Sequence, residues 1–224
     1  SNIVYDVVAT NSIGTATFQG TFGEGGFVAG VYQWNPGGIV PLFDGGGNLI
    51  AQIQGNTTIW PDLANGGYQI RYGFQVVSGE RDTTFTITSA RLGFAALNNP
   101  DGRATMQGTL TDQTGDGALF SADIGGKTSQ SLYNGATPGT GTVFANLMGG
   151  ISVVSPGGSQ GNNEAFPAVG FTPIAGVVNS MTGMLKFTVS AGDLASGTAQ
   201  FTIVPEPATL ALLALALLGK FRRR

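Results

Sequence analysis

The chain has 224 residues, with 13 acids, 10 bases, no His and no Cys. Without Cys there are no disulfides, thiol nucleophiles or zinc-thiolate sites, and without His there is no Ser-His-Asp triad and not the commonest metal ligand. Charged residues reach only 10%, against about 25% in ordinary soluble domains, and Gly reaches 37 residues; this is the composition of an exported β-rich surface protein rather than of a cytosolic enzyme.

The first predicted strand is Ile3–Thr10, followed by strands over residues 15–22, 26–34 and 49–54. In the next, Tyr68, Ile70, Tyr72, Phe74 and Val76 share one face. Residues 83–94 put Phe85 and Ile87 on one face and Leu92 and Phe94 on the other, a change of phase that predicts a bulge near residues 89–91. Further strands are predicted over residues 105–111, 118–124, 142–154, 181–189 and 199–203. Asn-, Pro- and Gly-rich turns separate them, as at Asn35-Pro36-Gly37 and Asn65-Gly66-Gly67. Residues 155–173 show little alternation and are expected to form a long exposed loop. About eleven short strands with even turn spacing predict an all-β fold. The expected architecture is an antiparallel two-sheet sandwich, jelly-roll-like, over residues 1–203, followed by a distinct tail over 204–224 with a short hydrophobic helix.

The tail has three parts in order. Pro205 and Pro207 fix two φ angles and hold Glu206 extended between them. An apolar run follows from Ala208 through Leu210 and Leu213 to Leu218, rich in the helix formers Leu and Ala. It ends on Lys220, Arg222, Arg223 and Arg224, four of the ten bases in the chain. From Ala208 to Gly219 a helix would be about 18 Å long, short of a bilayer core of about 30 Å, though terminal Lys and Arg can snorkel to the headgroups. A buried C-terminal helix would suit that length too, but Leu and Ala cover every face and leave no polar stripe for solvent. The chain begins at Ser1 with no apolar leader, which implies that an export signal peptide has been removed. Without residues 204–224 one acid and four bases disappear, leaving 12 acids, 6 bases and a net charge of −6. Such a domain is a poor nucleic-acid ligand.

Three side-chain sets are candidate sites. Asp112, Thr114 and Asp116, with Gly117 next and Asp123 at the twelfth position, echo a calcium-binding loop, although Thr114 and Asp123 depart from the usual ligands; the alternative is a plain Gly-Asp hairpin turn, and no other cofactor is expected. Glu80 and Asp82 flank Arg81 beside a turn and read as solvated hairpin charges rather than a glycosidase pair, so no catalytic residue is assigned. Trp34 and Trp60 border turns and are candidates for stacking on sugar rings.

The run Val204-Pro205-Glu206-Pro207-Ala208-Thr209, the Leu/Ala segment and the Arg-rich end together resemble the PEP-CTERM sorting signal of exported Gram-negative proteins. The resemblance implies processing by an exosortase at the Pro-Glu-Pro motif and transient contact with the inner membrane. It also implies placement at the cell surface or in the extracellular matrix, in association with exopolysaccharide and biofilm. It covers the tail only and leaves the fold and role of the larger domain open. The chain is therefore read as a non-enzymatic surface or matrix protein. The alternatives are a self-assembling fibre or surface-layer subunit, pairing through Ile3–Thr10, and a carbohydrate-binding module.

Overall fold

The computed structural model describes residues 2–64 and 66–206. In them the chain forms eighteen strands and one short 3-10 turn, Phe22–Glu24. The first six strands are β1 (Ile3–Thr10), β2 (Thr15–Thr21), β3 (Gly26–Val28), β4 (Val31–Trp34), β5 (Val40–Phe43) and β6 (Leu49–Trp60). Next come β7 (Tyr68–Ser78), β8 (Thr83–Ser89), β9 (Leu92–Asn98), β10 (Asp101–Thr111), β11 (Ala118–Ala122) and β12 (Ser129–Tyr133). The last are β13 (Thr142–Leu147), β14 (Ile151–Val153), β15 (Ser159–Phe166), β16 (Thr172–Pro173), β17 (Val177–Val189) and β18 (Leu194–Val204).

These strands build two antiparallel nine-stranded sheets, as an all-β sandwich requires. One runs β13-β12-β17-β8-β1-β2, with β9 and β11 also on β17 and β14 on β11. The other runs β15-β10-β18-β7-β6-β4-β3, with β16 on β10 and β5 on β6. Their facing sides hold one continuous apolar core that includes Val7, Ile53, Ile70, Val76, Phe85, Ile87, Leu185 and Phe187. The alternation predicted along β7 is present: Ile70, Tyr72, Phe74 and Val76 are buried, whereas Arg71 and Gln75 are exposed.

The bulge predicted near residues 89–91 is present as well. Met181 pairs with Leu92 and Met184 with Thr88, so three steps along β17 face four steps along the other chain. The Gly183 N–H donates to Ser89 Oγ at 2.8 Å and holds the extra residue in place. Thus β8 and β9 are one run of chain along β17, and the bulge returns Leu92 and Phe94 to the core side.

Two expectations are corrected. Residues 155–173 are not simply a loop: residues 159–166 form β15, paired with β10 from Thr111↔Ser159 to Ala104↔Phe166. It lies at the border of its sheet with little buried surface, so no hydrophobic alternation marks it. Nor is Ile3–Thr10 an available border for strand addition, because it is bonded to β2 on one side and β8 on the other. Among the described residues no helix is long and apolar enough to cross a membrane, and the run from Ala208 to Leu218 and the basic end through Arg224 lie outside them.

The two sheets meet through aromatic rings laid on glycines. Tyr5 of β1 lies on Gly55 of β6, and a Cβ there would fall 2.5 Å from the ring. Phe144 of β13 covers Gly102 of β10 in the same way, at 2.7 Å. From the opposite sheet, Trp34 of β4 covers Gly20 of β2 and Tyr72 of β7 covers Gly183 of β17. Gly183→Ala should therefore cost about 1–3 kcal/mol through overpacking. Gly161→Ala, where the nearest atom would be 3.6 Å away, should stay within about 0.5 kcal/mol. Urea unfolding of the two variants checks this.

Candidate binding face

The side of the second sheet that faces away from the core is almost entirely polar. Side chains alternate across each strand, and the cross-strand register arranges the outward ones in rows. One row runs Gln54, Gln75, Ser196, Thr109, Gly161. Its neighbour runs Asn56, Gly73, Thr198, Gln107, Asn163. The third runs Thr58, Arg71, Gln200, Thr105, Ala165, and the fourth Trp60, Gln69, Thr202, Arg103.

The first two rows line a groove of about 770 Å³ across β6, β7, β18, β10 and β15. A second hollow of about 430 Å³ shares Gln107, Asn163 and Thr198 with it and continues to Arg71 and Gln200. Five strands at about 4.8 Å spacing make the groove about 19 Å long. Gly73 and Gly161 contribute no side chains to its floor, and the Asn56 amide lies over Gly73, 2.9 Å from where a Cβ would stand. Beneath, the Tyr5 hydroxyl crosses from the opposite sheet and donates to the Gly73 carbonyl at 3.1 Å. Burial pushes the Tyr5 pKa far above the usual tyrosine range, so this hydroxyl stays a neutral donor.

The polar groups of this face fall into two kinds. In the fourth row Gln69 accepts from Thr202 Oγ1 at 3.1 Å and from Gln200 Nε2 at 3.2 Å, a network already closed on itself. By contrast, among the described residues the side-chain amides of Gln54, Asn56, Gln75, Gln107 and Asn163 make no hydrogen bond to protein. Each carries two donors and an acceptor, and they stand in adjacent rows. Nothing in the sequence flagged these five as a set. Their signal was an amide at alternate positions of strands whose other face is apolar.

The two tryptophans separate. Trp34 is only 2% exposed and stacks on Tyr5 with ring centroids 5.2 Å apart, so it is core and not a sugar platform. Its place beside a turn misled because Tyr5 and Phe18 of the opposite sheet pack against the ring. Trp60 is half-buried at the end of β6, on the outward side in the fourth row of the polar face.

The calcium-loop residues also separate. Asp112, Asp116 and Asp193 bring carboxylate oxygens within 4.8 Å of one another, while Asp123 points elsewhere and accepts from Ser121 and Thr188 hydroxyls. Asp193, from the β17–β18 turn, takes the place the spacing gave to Asp123. Thr114 Oγ1 bonds both Asp112 and Asp116. The Asp112 carboxylate accepts backbone N–H bonds from Thr114, Gly115, Gly117 and Gly157, at 2.7 to 3.1 Å. Those donors occupy lone pairs a cation would need, and the arrangement works as a clamp joining the β10–β11 turn to the β14–β15 turn. Glu80 and Asp82 lie in the β7–β8 turn, where Asp82 accepts from the Ala191 N–H at 3.0 Å.

Burial acts to raise the Asp112 pKa, but the N–H donors outweigh it and hold the carboxyl below the ordinary Asp range. A carboxyl whose pKa is depressed on folding adds stability above its unfolded pKa, and that part is lost as pH falls through the folded value. Stability should therefore begin to drop below about pH 4. Asp112→Asn should lower the urea midpoint at neutral pH and flatten its decline in acid, measured by unfolding at a series of pH values.

No curated protein matches the chain. Several solved structures align with the chain, each at a TM-score well under 0.5. The enzymatically active domain of bacteriophage CBA120 tailspike protein 4 aligns at 12% identity and TM-score 0.27, over 75% of this chain and 18% of that one. TmCBM61 in complex with β-1,4-galactotriose aligns at 9% identity and TM-score 0.25, over 80% and 90% of the two chains. An apo-form cyclase from Fischerella sp. aligns at 13% identity and TM-score 0.31, over 80% and 85%. This chain therefore spans under a fifth of the tailspike domain's length. Residues 204–224 match the PEP-CTERM protein-sorting motif, beginning at the last residue of β18. The tail thus carries a PEP-CTERM sorting motif, and the match is confined to it.

Proposed function

We propose that the protein is a non-enzymatic polysaccharide-binding protein of the cell surface or extracellular matrix, delivered there through its tail by an exosortase. The observation that carries this reading is the set of five unpartnered amides lining one groove. Sugar hydroxyls are paired donors and acceptors, and a side-chain amide matches them with both. A groove open along its length suits a polymer better than a small metabolite, and Trp60 on the same face offers one ring for stacking. The compatible biological ligand is exopolysaccharide of a biofilm matrix.

Calorimetry against a panel of soluble polysaccharides tests the reading. At least one polymer should bind, and Gln75→Ala with Gln107→Ala should weaken it about tenfold or more, since each lost hydrogen bond is worth about 0.5–1.5 kcal/mol. If no polymer binds, or the double variant binds unchanged, the groove is not the site.

A fibre or surface-layer subunit is the second reading, now resting on β15, an eight-residue strand at the sheet border, in place of β1. Ordered filaments in electron micrographs of the purified protein would favour it. Sorting has its own test. Intact mass of protein recovered from its native envelope should place the C-terminus near Pro205-Glu206-Pro207, and a mature surface form still ending in Arg224 would overturn processing.

A further inference from the structure

The domain is acidic, with 12 acids against 6 bases before the tail, yet its polar groove contains no free carboxylate. Glu164 borders the second hollow, but its carboxylate is turned to the core side. There it pairs with Lys127 at 2.7 Å and accepts the Met148 N–H. The Lys127 bond holds the Glu164 pKa below the usual carboxylate range and keeps it charged and engaged. Asp101 stands two residues beyond Arg103 along β10 and lines neither hollow.

The cations are distributed the opposite way. Arg71 is exposed in the middle of the face, lines the second hollow, and makes no hydrogen bond or ion pair among the described residues. Arg103, in the next row, has a buried Nε with no hydrogen-bond partner. Arg103 lines neither hollow, so Arg71 is the cation open to a ligand there. Two guanidiniums with no ion-pair partner among the described residues stand on one face of a protein whose other charges are mostly negative.

We propose that the groove takes an anionic polysaccharide, with Arg71 engaging its acidic group and the amide rows holding the hydroxyls of flanking residues. Guanidinium presents a planar fork of donors that fits a carboxylate with two parallel bonds. The domain's net charge of −6 opposes a polyanion in general, so such a chain is favoured where a cation stands unpaired, as Arg71 does on this face. The inference rests on the groove being a glycan site and narrows it to a charge class.

Calorimetry on the full chain with polygalacturonate, carboxyl-reduced polygalacturonate, dextran sulfate and dextran tests both layers. Polygalacturonate should bind, the carboxyl-reduced polymer at least about tenfold more weakly, and R71Q should abolish most of that difference. R71K keeps the charge but not the fork and should fall between wild type and R71Q. Preference for dextran sulfate over polygalacturonate would assign sulfate rather than carboxylate as the acidic group, still within the anionic class. If neutral polymers bind equally well, depend on Gln75 and Gln107, and ignore R71Q, the groove stands and the anionic inference falls. If none of the four binds, both fall. Circular dichroism of R71Q should match wild type, because the Arg71 side chain has no partner to lose.

Discussion

The seating of aromatic rings on bare glycine backbone is the constraint on which the sandwich depends. Gly20, Gly55, Gly102 and Gly183 each face a ring from the opposite sheet, and in none of them is there room for a Cβ without displacement. Rings come from both sheets, so the contact is reciprocal and fixes how closely the two can approach. Around these points the remaining rings stack on one another: Phe187 contacts Phe74, Phe85 and Phe120 with centroids 4.6 to 5.6 Å apart. The Gly-rich composition is thus partly a packing requirement, not only a supply of turns.

That packing reaches the outer face. Tyr5 crosses over Gly55, and its hydroxyl ends on the Gly73 carbonyl, under the Asn56 amide. The floor of the groove is therefore supported from the opposite sheet, and its rows of amides stand on strands that cannot shift without moving the core. A site on the middle strands of a sheet is held more rigidly than one on loops, which suits recognition of a long polymer by many weak hydrogen bonds.

What the sequence revealed follows from hydrophobic contrast. β1 was legible in full, and the β8–β9 bulge was legible, because apolar residues alternate there and the phase of alternation changes. β15 was not, since Ser159 to Ala165 offers no apolar side to contrast with a polar one. Residues 26–34 looked like one strand but contain a tight hairpin, with Ala29 and Gly30 both at positive φ; Ala is a weak signal for that conformation. Asp193 lies far along the chain from Asp112, so a spacing motif could not bring them together. Trp34 was misplaced because sequence shows a turn nearby but not the Tyr5 ring that closes over it. The groove was hidden for a different reason. Its five amides come from four strands, and only strand order makes them neighbours.

Strand order also decides how the domain bears load. The tail begins where β18 ends, and β18 lies inside its sheet, paired with β7 from Leu194 to Ile203 and with β10 from Leu194 to Val204. Ladder hydrogen bonds lie perpendicular to the strands, so a pull on Val204 along the strand strains both ladders together in shear rather than opening them one pair at a time. Forced unfolding is governed by the barrier to that first rupture. Load applied through the tail therefore enters the domain by an interior strand that is ladder-bonded on both sides.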